Sequence, residues 1–273
     1  MRGDRKRGRT CHSYFPLFNL CNNSLTMNSS KPVLVLQLRP EDATSDSEFE
    51  AFLKYGRLNE ADTRRIRIEK TGIPALSLDD FAAVIVGGSP FDISTPQQRK
   101  GAIQVRIESD FGRLFDEIVA RDFPFLGACS GCGLLGSYLN TPISNRYAEP
   151  VGGTRVMLTD DGRRDPLLAG FPEQIDVLCG HKEACDELPA GAALLMTSEA
   201  CPVQMFRVGE NVYATQFHPE GDSEGIALRI QTYKHHGYFP AEEAETLIAA
   251  VNREDTPYAR EILRRFIERY TAP

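Results

Sequence analysis

The sequence contains no uninterrupted apolar stretch of 18 residues, so it predicts no membrane-spanning helix. It has no excess of positive charge: 31 lysines and arginines stand against 38 aspartates and glutamates, and the formal net charge is −7. That balance argues against a nucleic-acid-binding surface. No P-loop sequence occurs either, so the chain lacks this type of glycine-rich phosphate site.

Cysteine is sparse, and its seven positions show no spacing typical of a disulfide framework. We therefore expect a reducing, cytoplasmic setting. Cys179, His181 and Cys185 lie close together in the sequence, but no second ligand pair follows at a typical zinc spacing. We accordingly predict no metal site.

The first 30 residues differ in composition from the rest. Five basic residues crowd positions 2–9, and a short stretch broken by asparagine follows. That stretch resembles a signal peptide only weakly, because its apolar part is short and lacks an A-x-A-like end. We expect residues 1–30 to be a disordered extension, with Met27 as a plausible true start.

From Lys31 onwards, short apolar runs alternate with helical patterns. The predicted buried strands occupy 33–38, 65–68, 81–86 and 123–128. Helical spacing predicts helices at 45–58 and 96–120. This alternation predicts an α/β fold with a doubly wound, mostly parallel sheet and helices on both faces.

The second half of the chain is richer in β signal. Shorter strands are predicted at 152–159 and 177–179, and the segments 204–208 and 212–217 predict a β-hairpin that extends the sheet. Helical patterns dominate from about 225 to 273.

The run 123–133 predicts a nucleophile elbow. Cys129 lies between Gly127 and Gly131 at the point where a predicted strand passes into a helix. Such a turn is sharp, so glycines on either side avoid clashes with the adjoining elements. The helix N-terminus offers unpaired N–H groups and partial positive charge, which favour the nucleophilic thiolate.

Two other interpretations of this run stay open. A buried, inert cysteine at a small-residue turn would give the same pattern. Cys129-Ser-Gly-Cys132 is also a C-x-x-C at a strand-to-helix junction, so a disulfide could switch Cys129 off, although Cys132 can equally be a buried residue that fills space.

The segment His218-Pro-Glu220 supplies the partners that a catalytic cysteine needs. Pro219 favours an extended conformation at His218, and residues two apart in an extended chain point to the same side. Glu220 can therefore hold one imidazole nitrogen while the other faces the thiol. At the end of an earlier apolar strand, a Gly87-Gly88 amide could join that of Ser130 in an oxyanion hole, although a plain β-turn is the simpler alternative.

Together these segments resemble the class I (triad) glutamine amidotransferases, and in particular their stand-alone, GMP-synthase-like members. The matching motifs keep the family's order and approximate spacing: 87–90, 127–131 and 216–220, with further similarity at 177–189 and 201–207. The resemblance covers roughly residues 31–235. It implies a flavodoxin-like fold over a single domain, residues 31–273, which hydrolyses the γ-amide of glutamine and needs no cofactor.

The resemblance also implies a role for each matching residue. Cys129 would attack the amide carbon to form a γ-glutamyl thioester, His218 would protonate the leaving ammonia, and Glu220 would orient His218. Backbone amides of Gly88 and Ser130 would bind the oxyanion. The residues that match substrate-binding positions are Gly87, Ser89, Gly133, Gly180 and His181.

Two departures from the family pattern bear on function. Gly133 stands where the family usually has a glutamine that holds the substrate, and losing one hydrogen bond to a charged group costs about 1.5–3 kcal/mol. The smaller residue would make room for a larger γ-glutamyl compound. In addition, the chain carries no ATP-pyrophosphatase loop, so its ammonia would pass to a separate synthetase subunit.

Three functions therefore compete. The leading one is a glutamine amidotransferase-type hydrolase that feeds a separate acceptor enzyme, with a homodimer as the candidate assembly. A γ-glutamyl peptidase-like cysteine hydrolase is the second, and a non-catalytic regulatory subunit the third.

Overall fold

A computed structural model describes residues 31–272 of the chain. The expected extension and Met27 lie outside the described residues. The strands are β1 (Val33–Gln37), β2 (Thr63–Arg67), β3 (Ala83–Val86), β4 (Phe125–Ala128), β5 (Ile143–Ser144), β6 (Glu149–Leu158), β7 (Gln174–His181), β8 (Ala184–Cys185), β9 (Ala193–Thr197), β10 (Met205–Val208) and β11 (Val212–Thr215). The helices are α1 (Asp42–Gly56), α2 (Ile68–Thr71), α3 (Ala102–Arg121), α4 (Ser130–Tyr138), α5 (Asp160–Arg164), α6 (Ser223–Tyr233), α7 (Ala244–Val251) and α8 (Pro257–Thr271).

Nine of these strands form one sheet in the order β2-β1-β3-β4-β11-β10-β9-β6-β7, and β5 pairs with β8 separately. The first five are parallel to one another. The remaining pairings are antiparallel, so β10 and β6 alone run against the other seven strands of this sheet. The prediction of a doubly wound, mostly parallel α/β sheet is confirmed.

Alternation along β1 shows why helices cover both faces of the sheet. Leu34 and Leu36 belong to the core that includes α3 and α4, whereas Val33 and Val35 belong to the core that includes α1 and α8. Successive side chains of a strand point to opposite faces, so a strand that is apolar at every position needs cover on both sides.

Most predicted elements are observed, with shifted ends. The helix expected at 96–120 begins only at Ala102, because a separate 3₁₀ turn occupies Gln97–Arg99. The predicted hairpin is formed by β10 and β11, and its turn contains Gly209 with a φ of 58°. Strand β9 was not predicted. The single continuous sheet supports one domain over residues 31–273, a division that stays a prediction.

The topology gathers the carboxyl ends of several strands at one edge. Because β1, β3, β4, β11 and β7 point the same way, the residues that follow or end them meet there. Open α/β sheets bind ligands at this edge. The residues brought there are Arg39, Gly88, Cys129, His181 and His218.

Within residues 31–272, no helix is both long enough and apolar enough to cross a bilayer.

Phe266 of α8 offers a test of the core beneath this edge. Its ring is fully buried and lies 5.0 Å from the Tyr270 centroid and 6.1 Å from that of Tyr213 on β11. We expect Phe266→Ala to lower the free energy of unfolding by about 3–5 kcal/mol, measured by urea denaturation. Ile103→Ala, at a position that is 46% exposed, should change it by less than about 0.5 kcal/mol. Similar losses in both variants would contradict this packing.

Candidate active site

Cys129 has the strained backbone expected of a nucleophile elbow. It directly follows β4, precedes α4, and has a φ of 52° and a ψ of −99°. A positive φ is uncommon for a residue with a side chain and persists only where its surroundings enforce it. Here the Cys129 amide donates to the Thr215 carbonyl oxygen of β11 at 2.8 Å, and the Gly133 amide donates to the Cys129 carbonyl oxygen at 3.1 Å.

The two glycines flanking Cys129 are required by close packing. A Cβ atom on Gly127 would lie 2.7 Å from the Gly131 carbonyl carbon. One on Gly131 would lie 3.2 Å from Cβ of Val86, on the neighbouring strand. The strand and the helix therefore approach each other more closely than side chains at these positions would allow.

His218 and Glu220 form the predicted pair beside Cys129. The His218 ring donates from Nδ1 to Glu220 Oε1 at 2.8 Å, and its backbone amide donates to the Leu178 carbonyl oxygen at 2.9 Å. This leaves Nε2 for the thiol. Burial opposes protonation of His218, but the Glu220 charge and a hydrogen bond with Cys129 raise its pKa above the ordinary value.

A buried network of charges holds Glu220. Arg229 Nη2 lies 3.1 Å from Glu220 Oε1 and 3.7 Å from Glu48 Oε1, and Glu48 in turn pairs with Arg39 Nε at 2.8 Å. Burial alone would raise the pKa of Glu220, but His218 and Arg229 hold it well below its usual range. Glu220 is therefore ionised over the whole pH range in which His218 gains or loses its proton.

Sequence reasoning missed Arg39, Glu48 and Arg229. They lie on the loop after β1, on α1 and on α6, and nothing in the local pattern links these three positions. The position of Arg39 just beyond a buried parallel strand was the one available signal.

The two backbone amides expected to bind the oxyanion, those of Ser130 and Gly88, differ in whether they already have a hydrogen-bond acceptor. Ser130 is the first residue of α4, where a backbone N–H has no acceptor within the helix. The Gly88 amide, in contrast, donates to Glu48 Oε1 at 3.2 Å. The hydrogen bond from the Gly88 amide to Glu48 would have to break before this amide could donate to an oxyanion, so its role stays a prediction.

Two recesses meet at Cys129. The first, here called the Ser130 recess, is lined by Cys129 and Ser130 and by four of the predicted substrate residues: Ser89, Gly133, Gly180 and His181. The second, here called the His218 recess, is lined by Cys129, His218, Arg39 and Arg229. Tyr238 lines both, and its hydroxyl donates to the Ser89 carbonyl oxygen at 3.3 Å.

Gly87, the fifth predicted substrate residue, does not line either recess. A Cβ on Gly87 would collide with the carboxylate of Glu48, so the glycine makes room for that side chain. Its expected contact with substrate stays a prediction.

Charged side chains that sequence reasoning did not single out line the Ser130 recess. Lys182 Nζ lies 2.7 Å from Asp92 Oδ2, and Glu183 accepts hydrogen bonds from the amides of Ile93 and Ser94 at 2.5 and 2.8 Å. Burial raises the pKa of Glu183, an effect that these amides oppose. Both signs of charge are thus present within a few ångströms.

The space next to Gly133 differs from expectation. A Cβ on Gly133 would lie 2.7 Å from Cδ1 of Ile93, so the end of that side chain already occupies the room that a small residue was expected to leave. A glutamine there would require Ile93 to move.

His181 belongs to a buried polar cluster behind the Ser130 recess. Its Nε2 lies 3.0 Å from Glu149 Oε2, and its Nδ1 lies 3.2 Å from the Glu183 carbonyl oxygen. Potential ligand atoms of Glu149, Cys179 and His181 lie within 4.8 Å of one another. Gln204 also donates to Glu149 Oε2, at 2.6 Å, so this carboxylate oxygen already has two partners and we propose no metal there.

The other thiols among residues 31–272 are buried, and Cys132 contacts Cys185. Cys132 hydrogen-bonds with Cys185, and this contact together with burial raises its pKa well above the usual value. Burial likewise raises the pKa of Cys201 to about 12. Cys132 is fully buried in the core beneath α4, which favours the space-filling interpretation.

The link between Glu220 and His218 can be tested by titration. Because the Glu220 charge stabilises the protonated imidazole, Glu220→Gln should lower the pKa of His218, measured by NMR of its ring carbons. Glu149→Gln, which removes the carboxylate next to the other buried histidine, His181, is the matched control and should leave His218 unchanged. An unaltered His218 titration in Glu220→Gln would refute the pairing.

Comparison with known proteins gives the same assignment as these motifs. The family model "Glutamine amidotransferase class-I" matches residues 46–255. The glutamine amidotransferase-like protein YfeJ of Salmonella typhimurium is 29% identical over 153 residues, which are 56% of this chain and 62% of that protein. One subunit of the glutamine-hydrolysing GMP synthase of Saccharolobus solfataricus is 28% identical over 148 residues, 54% of this chain and 71% of its own.

A solved structure shares the fold. The glutamine amidotransferase of Thermotoga maritima superposes with a TM-score of 0.69 at 22% identity, covering 88% of this chain and 99% of that one. At this identity the likeness concerns the fold alone. The family match spans most of the chain and includes Cys129, His218 and Glu220. The predicted family is confirmed: this chain belongs to the class I glutamine amidotransferases.

Proposed function

We propose that this protein hydrolyses the γ-amide of glutamine through Cys129, His218 and Glu220. The observation that carries the proposal is the strained Cys129 at the end of β4, next to β11, the strand that leads to the buried His218–Glu220 pair. A nucleophile, a base within reach and a third group that orients the base are the parts such catalysis requires.

In the first half of the reaction, Cys129 Sγ attacks the amide carbon while His218 Nε2 takes the thiol proton. The Ser130 amide stabilises the oxyanion. The C–N bond then breaks, His218 gives its proton to the leaving nitrogen, and ammonia departs from a γ-glutamyl thioester. In the second half, water attacks the thioester, its proton passes through His218 to the Cys129 sulfur, and glutamate leaves.

The Ser130 recess suits the α-amino acid end of glutamine. Lys182 offers a positive charge for the α-carboxylate, and Asp92 and Glu183 offer negative charge for the α-ammonium. These groups compensate for the missing glutamine side chain at Gly133, whose place Ile93 occupies.

We further propose that the ammonia passes to a separate synthetase subunit. This proposal is supported by the Saccharolobus solfataricus relative, which is named as one subunit of a glutamine-hydrolysing GMP synthase.

Replacement of Cys129 tests the chemistry. We expect Cys129→Ala to reduce glutamate release from glutamine by roughly 10⁴-fold or more, because no other group replaces the nucleophile. Cys132→Ala, in the same helix turn but buried away from both recesses, is the matched control and should retain activity. Acid quenching of the wild type should trap a γ-glutamyl adduct on Cys129, detected by mass spectrometry. Equal rates in wild type and Cys129→Ala would sink the proposal.

A further inference from the structure

The His218 recess contains guanidinium nitrogens that lack acceptors. Arg229 is 7% exposed, and its Nε and Nη1 atoms have no hydrogen-bond partner among residues 31–272. Only its Nη2 reaches the carboxylates of Glu220 and Glu48. A buried polar group without a partner is costly, and a bound ligand is one reason for a structure to keep it.

Arg39 brings a second guanidinium to the same place. It is 4% exposed and gives its Nε to Glu48. A Cβ built on Gly88 would lie 2.5 Å from Arg39 Nη2 and 2.9 Å from His218 Cε1, so both side chains approach the space that a side chain at Gly88 would fill.

The charges around the recess balance only while His218 is neutral. Arg39 and Arg229 offset Glu48 and Glu220, and protonation of His218 adds one positive charge among side chains that are each less than 10% exposed. A ligand anion beside the arginines would compensate for that charge when His218 holds the proton.

The position of His218 shows what would occupy this recess. His218 lines the His218 recess but not the Ser130 recess. A general acid must lie within hydrogen-bond reach of the nitrogen it protonates. The amine part of the substrate therefore leaves on this side, whereas the glutamyl part occupies the other.

The walls of the His218 recess are more elaborate than ammonia requires. Apolar and aromatic side chains also line it: Val151, Ile226, Ile230, Tyr233, Tyr238 and Phe239. Together with two arginines, such walls suit a small amine that carries a carboxylate, because a guanidinium matches a carboxylate in both charge and geometry.

We propose that Arg39 and Arg229 form a subsite for the carboxylate of the leaving amine, so that γ-glutamyl amino acids and short γ-glutamyl peptides are substrates of this site. The inference rests on the proposed hydrolysis at Cys129 and extends its substrate class beyond glutamine. The bonds made and broken are the same: the amide C–N bond breaks, His218 protonates the amine, and water releases glutamate from the thioester.

The test compares two substrates that differ only in the charge at issue, γ-glutamylglycine and γ-glutamylglycinamide. Wild-type kcat/KM should favour γ-glutamylglycine by roughly 10–150-fold, the range for a hydrogen bond to a charged group. In Arg39→Met and Arg229→Gln the ratio should fall towards one. A ratio cancels any common effect on His218 and Glu220, since both substrates use the same triad.

Arg207→Gln is the matched control, because Arg207 pairs with Asp165 at 2.8 Å and lines neither recess. It should keep the wild-type ratio. If the two arginine variants fail to fold, the wild-type ratio decides: a preference for γ-glutamylglycine supports the subsite, and equal kcat/KM values overturn it.

The outcomes separate this inference from the proposed function. If the wild type hydrolyses glutamine and both γ-glutamyl compounds, and its two kcat/KM values for those compounds are nearly equal, the subsite is overturned and the catalytic proposal stays intact. If none of the three compounds is hydrolysed, the catalytic proposal fails, and calorimetry on Cys129→Ala decides the subsite. In that variant, tenfold tighter binding of γ-glutamylglycine than of γ-glutamylglycinamide supports the subsite, and equal affinity for the two compounds overturns it.

Discussion

The site depends on keeping the carboxylate of Glu220 ionised although it is buried away from solvent. Glu220 is fully buried, and removing one partner from a buried ion pair typically costs about 3–5 kcal/mol. Its partners are His218 and Arg229, and Arg229 is shared with Glu48, which holds Arg39 and the Gly88 amide. The loops after β1, β3 and β11 are therefore joined to α1 and α6 through charge as well as through packing.

The parts of this site that the sequence reveals are those whose cause is local. The elbow needs glycines on both sides of Cys129, and Pro219 sets His218 and Glu220 on one side of an extended chain. The parallel strands are recognisable because they are buried on both faces. Each of these constraints acts over a few residues, so each leaves a pattern that can be read directly.

The parts that escape the sequence depend on contacts between distant segments. Arg39 and Arg229 are 190 positions apart and meet only because β1 and α6 pack at the same edge. The engagement of Gly88 by Glu48 and the filling of the Gly133 space by Ile93 are likewise decided by neighbours from other elements. Strand β9 escapes for the same reason: this run of five residues pairs with β10 and β6, which are distinct strands on its two sides.

The reacting residues, Cys129 and His218, and the walls of the two recesses around them are held in place by different kinds of structure. Cys129 and His218 follow adjacent strands, β4 and β11, whose register pairs Ala128 with Thr215, and the Cys129 amide is itself tied to Thr215. Their spacing is thus fixed by a backbone ladder that does not depend on which side chains surround it. The walls, by contrast, come from loops, from α4 and α6, and from the ends of β6 and β7. Substitutions there can alter which molecule is accepted while the reacting atoms stay in register, so this architecture lets specificity diverge while the reaction is retained.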